Sequence, residues 1–248
     1  MLVNKIFKVV LLLLGGIYIL LQGFAKEVEA AVLSAVILLL LTWFYSNKSV
    51  YRSKFFTSFL VVFTIAQVLS AIAWFTPKIM ENETDYLYYI TNILFVISYV
   101  LLIIKTISQL NLKVVFSELT VPIIVLIVLD VFCVSLISGT TEGSFSYYQN
   151  ILEYTYNAVV MALLSFALVD YMYRNNSKSM LFLLGTIFMA FSEIIQLAYF
   201  YILSDDSLSF VYAFFLVMAF FFLYAQSQYK VTEPIAAYED EPLEVKNS

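Results

Sequence analysis

Eight stretches of this chain are long and apolar enough to cross a bilayer, and nothing else in the sequence constrains the fold as tightly. A spanning helix needs about 20 mostly apolar residues. Such stretches lie at about residues 6–25, 28–45, 55–75, 87–104, 119–138, 150–172, 180–203 and 209–227. The hydrocarbon region holds no water to satisfy backbone polar groups, so each stretch must close its hydrogen bonds within itself as a helix. The expected fold class is all-α, a polytopic membrane bundle of eight transmembrane helices. One transmembrane domain takes residues 1–229. A short acidic tail with Pro234 and Pro242 takes residues 230–248, and its composition predicts disorder. The chain is 62% hydrophobic and 12% charged, whereas a soluble domain is close to half apolar and a quarter charged.

Lysine and arginine favour cytoplasmic loops. With the N-terminus inside, 11 of the 13 basic residues fall on the cytoplasmic side, and only Lys26 and Lys78 fall outside. A wrong number of spans would scramble that sorting, so the bias supports both an even count and two cytoplasmic ends. Residues 1–25 also carry marks of a secretory signal, with Lys5 and Lys8 ahead of an apolar run, but the run is long for one. Cleavage would leave the other seven spans oriented as before. Asn82-Glu83-Thr84 reads as a glycosylation sequon on an outer loop. Little Gly, Pro and Arg beside much Lys, Ile, Phe and Asn suggests an AT-rich bacterial genome, and with it the cell (inner) membrane.

Several chemistries are excluded by absence. The chain has no histidine and one cysteine, Cys133. That removes imidazole acid–base work, His-based nucleophile systems, disulfides within one chain and Cys-rich metal sites. No cofactor is expected. The formal charge of -5 gives no basic footprint for nucleic acid. No lysine lies mid-span to hold a retinal, and no GxxxxGK-type phosphate loop is present.

Ionisable side chains at membrane depth cost roughly 2.5–3.5 kcal/mol to insert, so those that occur there are functional candidates. Asp130 lies near the middle of the fifth span and Glu193 near the middle of the seventh. Glu153 lies about one turn inside the outer end of the sixth, and Asp170 near its inner end, four residues before Arg174. Asp170 and Arg174 suit an interfacial pair. Ser192 and Gln196 accompany Glu193, and Asn157 follows Glu153 at i+4. With Gln67 from the third span and Asn92 and Ser98 from the fourth, these residues lie between the middle and the outer side. They predict either a polar cavity opening outward or hydrogen bonds that hold helices together. Tyrosines crowd the outer boundary, as in an interfacial belt.

The seventh span, Leu184-Gly185-Thr186-Ile187-Phe188-Met189-Ala190-Phe191-Ser192-Glu193, resembles the Gly-Ala-x-x-Phe-x-x-Ser-Asp segment of the YhhN family, bacterial relatives of lysoplasmalogenases. Leu223-Tyr224-Ala225-Gln226 is similar to that family's Tyr-x-x-Ala-Gln ending, and Tyr156 to Met161 is similar to its Tyr-x-x-x-x-x-Met pattern only in outline, with four intervening residues in place of five. The chain departs from the family at Ala66-Gln67, where a Gly-Asp pair is usual, and at Ser98-Tyr99, where His-Tyr is usual.

The resemblance implies a membrane-embedded hydrolase that cleaves the vinyl ether of a lysoplasmalogen into a fatty aldehyde and a glycerophospho head group. Such a bond breaks when its β-carbon is protonated and water attacks the resulting oxocarbenium ion. This chemistry asks for a carboxylic acid and a second, ionised group. On that reading Glu193 is the proton donor and Asp130 its partner. Gln67, Asn92, Ser98, Glu153, Asn157, Ser192 and Gln196 then contact the membrane lipid or lysolipid. The alternative is a protein that has lost hydrolysis and binds a lipid or carries a small solute.

Overall fold

The computed structural model describes residues 2–49, 51–77, 84–141, 143 and 145–232, with side chains from residue 5 onward. The sequon at 82–84, Lys78 and the tail beyond 232 fall wholly or largely outside the described residues. Nine helices and no strand occur among those described. They are α1 (Leu2–Gly23), α2 (Glu27–Lys48), α3 (Lys54–Ala73), α4 (Tyr86–Ile107), α5 (Leu112–Glu118), α6 (Thr120–Gly139), α7 (Tyr147–Arg174), α8 (Ser177–Tyr201) and α9 (Asp206–Ser227). All but α5 are long and apolar enough to span a membrane, as expected. The addition is α5, a helix of 7 residues between the fourth and fifth spans.

Polar caps set several helix ends. Asp85 accepts the Tyr88 amide at 2.9 Å and starts α4. Ser146 and Gln149 form a capping box at α7, and Asn176 and Ser179 form another at α8. Asn175 has φ 46°, in the left-handed region that asparagine tolerates, and this turns the chain from α7 into α8.

Seven helices close a ring. Around it run α1, α2, α3, α4, α7, α8 and α9, and α9 returns to α1. Facing rings of Phe59, Phe63, Tyr99 and Phe220 fill the centre with Leu60, Leu102, Leu163, Met189 and Leu223. Phe63 stands edge-on to Phe95 at 4.9 Å and to Phe220 at 5.0 Å between ring centroids, a favoured aromatic geometry. Gly185 lets α8 approach α9, because a Cβ there would lie 2.9 Å from Leu223 Cγ and 3.2 Å from its backbone nitrogen.

Helix α6 stands outside this ring and packs on α7. It is the most apolar of the eight spans, and most of its large side chains are exposed on the outside of the bundle. Two polar contacts hold it: Ser165 donates to Asp130 at 2.9 Å and Asn157 to Ser138 at 3.0 Å. Polar groups act as glue between helices where lipid removes the hydrophobic drive to associate.

One end of the bundle carries Lys5, Lys8, Lys48, Arg52, Lys54, Lys105, Arg174, Lys178 and Lys230 at helix ends or turns. The expected pair forms there, with Arg174 Nε 2.7 Å from Asp170 Oδ1. Arg174 also donates to the carbonyls of Gln109 and Thr232.

Candidate functional site

At the end away from the basic residues, α3, α4, α7 and α8 enclose a cavity of about 280 Å³. Its walls follow from helix periodicity. On α7, Glu153, Tyr156 and Asn157 stand at i, i+3 and i+4 and share one face. On α8, Glu193, Gln196, Leu197 and Phe200 do the same, and on α4 the face is Tyr88, Thr91, Asn92 and Phe95. Ser70 and Tyr201 complete the lining. Two carboxylates therefore share one space with five aromatic rings, and no lysine or arginine is among the lining residues.

Glu193 is anchored by phenols from two helices. Tyr99 of α4 donates to one carboxylate oxygen, and Tyr156 of α7 donates to the other at 2.7 Å. The two rings meet edge to face at 5.9 Å, which fixes both hydroxyls beside the same side chain. Both oxygens of Glu193 are thus paired, as a carboxylate at membrane depth requires. Glu153 has one direct partner, Asn157, whose amide donates to it at 2.9 Å and also reaches Ser138 on α6. The buried Thr91 hydroxyl faces the cavity with no hydrogen-bond partner. An unpaired buried hydroxyl is costly, and one that lines a cavity is available to whatever fills it.

The structure divides the residues singled out in the sequence. Asn92, Glu153, Asn157, Glu193 and Gln196 line the cavity. The other four do not. Gln67 donates to Ser34 of α2 at 2.8 Å. Ser98 is buried and bonds the Phe95 carbonyl of its own helix at 2.6 Å. Ser192 turns to the Tyr212 carbonyl on α9 at 2.9 Å. Asp130 is on α6, and its partner Ser165 is nine residues from Tyr156. Nine residues are two and a half helical turns, about 13.5 Å along α7 and on its opposite face. The expected pairing of Glu193 with Asp130 is therefore not formed, and Glu153 is the second carboxylate of the cavity.

Tyr99, Tyr88, Thr91 and Tyr201 enter the site without having been singled out for it. Tyrosine at a span end reads as belt, and only helix azimuth separates a lining ring from a lipid-facing one. Among the described residues no group of three or more His, Cys, Asp or Glu is placed to hold a metal ion. In comparisons with known proteins, no family model, no curated protein and no solved structure matches this chain.

Proposed function

We propose that this chain is a multi-pass protein of a bacterial inner membrane, with both ends in the cytoplasm, that acts on an ether lysolipid as a divergent relative of the YhhN family. The proposed reaction is hydrolysis of the vinyl ether of a lysoplasmalogen. The observation that carries the reading is the shared cavity of Glu193 and Glu153. Carboxylates and aromatic faces without a competing cation suit the ammonium of an ethanolamine or choline head group, by charge and by cation–π attraction.

The reaction divides between the two acids. Glu193 in its protonated form gives the proton to the β-carbon of the vinyl ether. The carbon next to oxygen becomes an oxocarbenium ion, and the Glu153 carboxylate stabilises it or draws a proton from the attacking water. The hemiacetal then collapses to aldehyde and alcohol, so one water is consumed and Glu193 regains its proton. Tyr99 and Tyr156 can accept as well as donate hydrogen bonds, so they hold Glu193 in either protonation state.

A binding role without turnover is the second reading. It is favoured by the same two phenols, which leave neither oxygen of Glu193 unpaired. The discriminating experiment is aldehyde release from lysoplasmalogen by the detergent-purified protein, beside Glu193→Gln. Release that disappears in a variant still monodisperse on gel filtration supports the hydrolase. A folded wild-type protein that releases no aldehyde overturns it for this substrate.

A further inference from the structure

A second cavity, about 390 Å³, lies between α1, α2 and α9 and shares no residue with the first. It exists because α2 and α9 are joined chiefly through α1, which roofs the gap between them. One face of α1 lines it, with Lys8, Leu11, Leu12, Gly15 and Tyr18 at spacings of three and four. The opposite walls are aliphatic and aromatic, from Ile37, Leu38 and Leu41 on α2 and Val217 and Phe220 on α9.

The groove has a direction. At the basic end its mouth holds Lys8, Gln228 and Tyr229. At its inner end stand Tyr18 and Ser34, whose hydroxyl is taken up by Gln67 and the Ala31 carbonyl. Ten residues of α1 separate Lys8 from Tyr18, a rise of about 15 Å. That is half of a hydrocarbon core of about 30 Å, the depth of one leaflet. Lys8 is exposed, and its ammonium lies 5.4 Å from the Tyr224 ring. Among the described residues the one ion pair is Asp170–Arg174, so no carboxylate there neutralises Lys8. Lys5, Lys48, Arg52 and Lys230 add positive charge at the same end.

We infer that this groove binds one acyl chain of an anionic phospholipid from the leaflet at the basic end, with the phosphate at Lys8 and Gln228. The apolar walls match the chain, the length matches one leaflet, and the charge at the mouth matches the phosphate. The site is independent of the Glu193 cavity, which opens at the other end and is lined by acids.

The test is native mass spectrometry of the full chain released from vesicles of equal parts dioleoyl phosphatidylglycerol and dioleoyl phosphatidylcholine. One retained phosphatidylglycerol per chain is expected, in preference to phosphatidylcholine. A basic residue near an anionic surface contributes about 1 kcal/mol, so Lys8→Glu should lower that preference by about five-fold or more. Ile37→Trp, which fills the groove, should remove the bound lipid while gel filtration stays monodisperse. Equal retention of the two lipids, retention unaltered in both variants, or a lipid-free dimer would each overturn the assignment.

Discussion

Glu193 and Asp130 are alike as sequence features, each a lone carboxylate near the middle of an apolar span. In the fold they belong to different regions. Glu193 is on α8 within the seven-helix ring, held by phenols from two other helices and facing a cavity with a second acid. Asp130 is on α6 outside the ring, bonded to one serine of α7, the long helix on which α6 packs. A buried polar group can serve chemistry or hold two helices together, and its surroundings decide which. On the proposed reading, the cavity that Glu193 shares with a second acid fits the first, and the single serine partner of Asp130 fits the second.

The sharpest way to break this comparison is to treat the two acids alike. Glu193→Gln should lower aldehyde release by about 10²–10⁴-fold, the range for losing a general acid. Asp130→Asn, which can still bond Ser165, should leave the rate unchanged. An equal loss in both would place α6 in the site.

Removing the partners extends the contrast to stability. Tyr99→Phe takes the donor from one oxygen of Glu193 and leaves that oxygen unpaired between packed helices, which should cost about 1–3 kcal/mol, the range for an unsatisfied buried polar group. Ser165→Ala should cost less, about 0.5–1.5 kcal/mol. Unfolding in mixed micelles measures both, and the reverse ranking would contradict the division of roles between the two acids.

Packing separates the regions next. Gly185→Ala forces a Cβ against Leu223 where the ring closes, and should cost about 1–3 kcal/mol. Gly139→Ala at the end of α6 meets nothing within 4 Å and should be tolerated. Thermal midpoints of the two variants make the comparison.

The smallest effect lies at the loop before α9. The Ser207 hydroxyl and amide bond Asp205 and hold its carboxyl below the usual carboxylate range. A lowered folded value means that its contribution is complete above the ordinary carboxylate pKa and is lost as pH falls through the lowered one. Unfolding midpoints against pH should show this slope in the wild type and a flatter one in Asp205→Asn.

Much of this architecture was legible in the chain. The eight spans follow from length and apolarity, because hydropathy reports depth. The polar residues near one end were legible for the same reason, and Asn92, Glu153, Asn157, Glu193 and Gln196 do meet there. Azimuth was not legible. Gln67 and Ser192 sit at the right depth but point to neighbouring helices, and Ser98 bonds its own. The exclusion of α6 from the ring had a signal, since it is the most apolar span and so the one best suited to lipid on most sides. With Asp130 in its middle, that apolarity was outweighed by the default that a membrane carboxylate is functional. The segment of α5 is too short and too weakly periodic to be told from loop.

The most direct measurement is binding of a lysolipid with a choline head and a saturated ether, which has no double bond to protonate and so reports the cavity apart from turnover. Titration calorimetry in detergent should give clear binding to the wild type and to Asp130→Asn, and a marked loss for a Glu153→Gln, Glu193→Gln double variant. Equal affinity in all three, or a loss confined to Asp130→Asn, would contradict the placing of the site at Glu193.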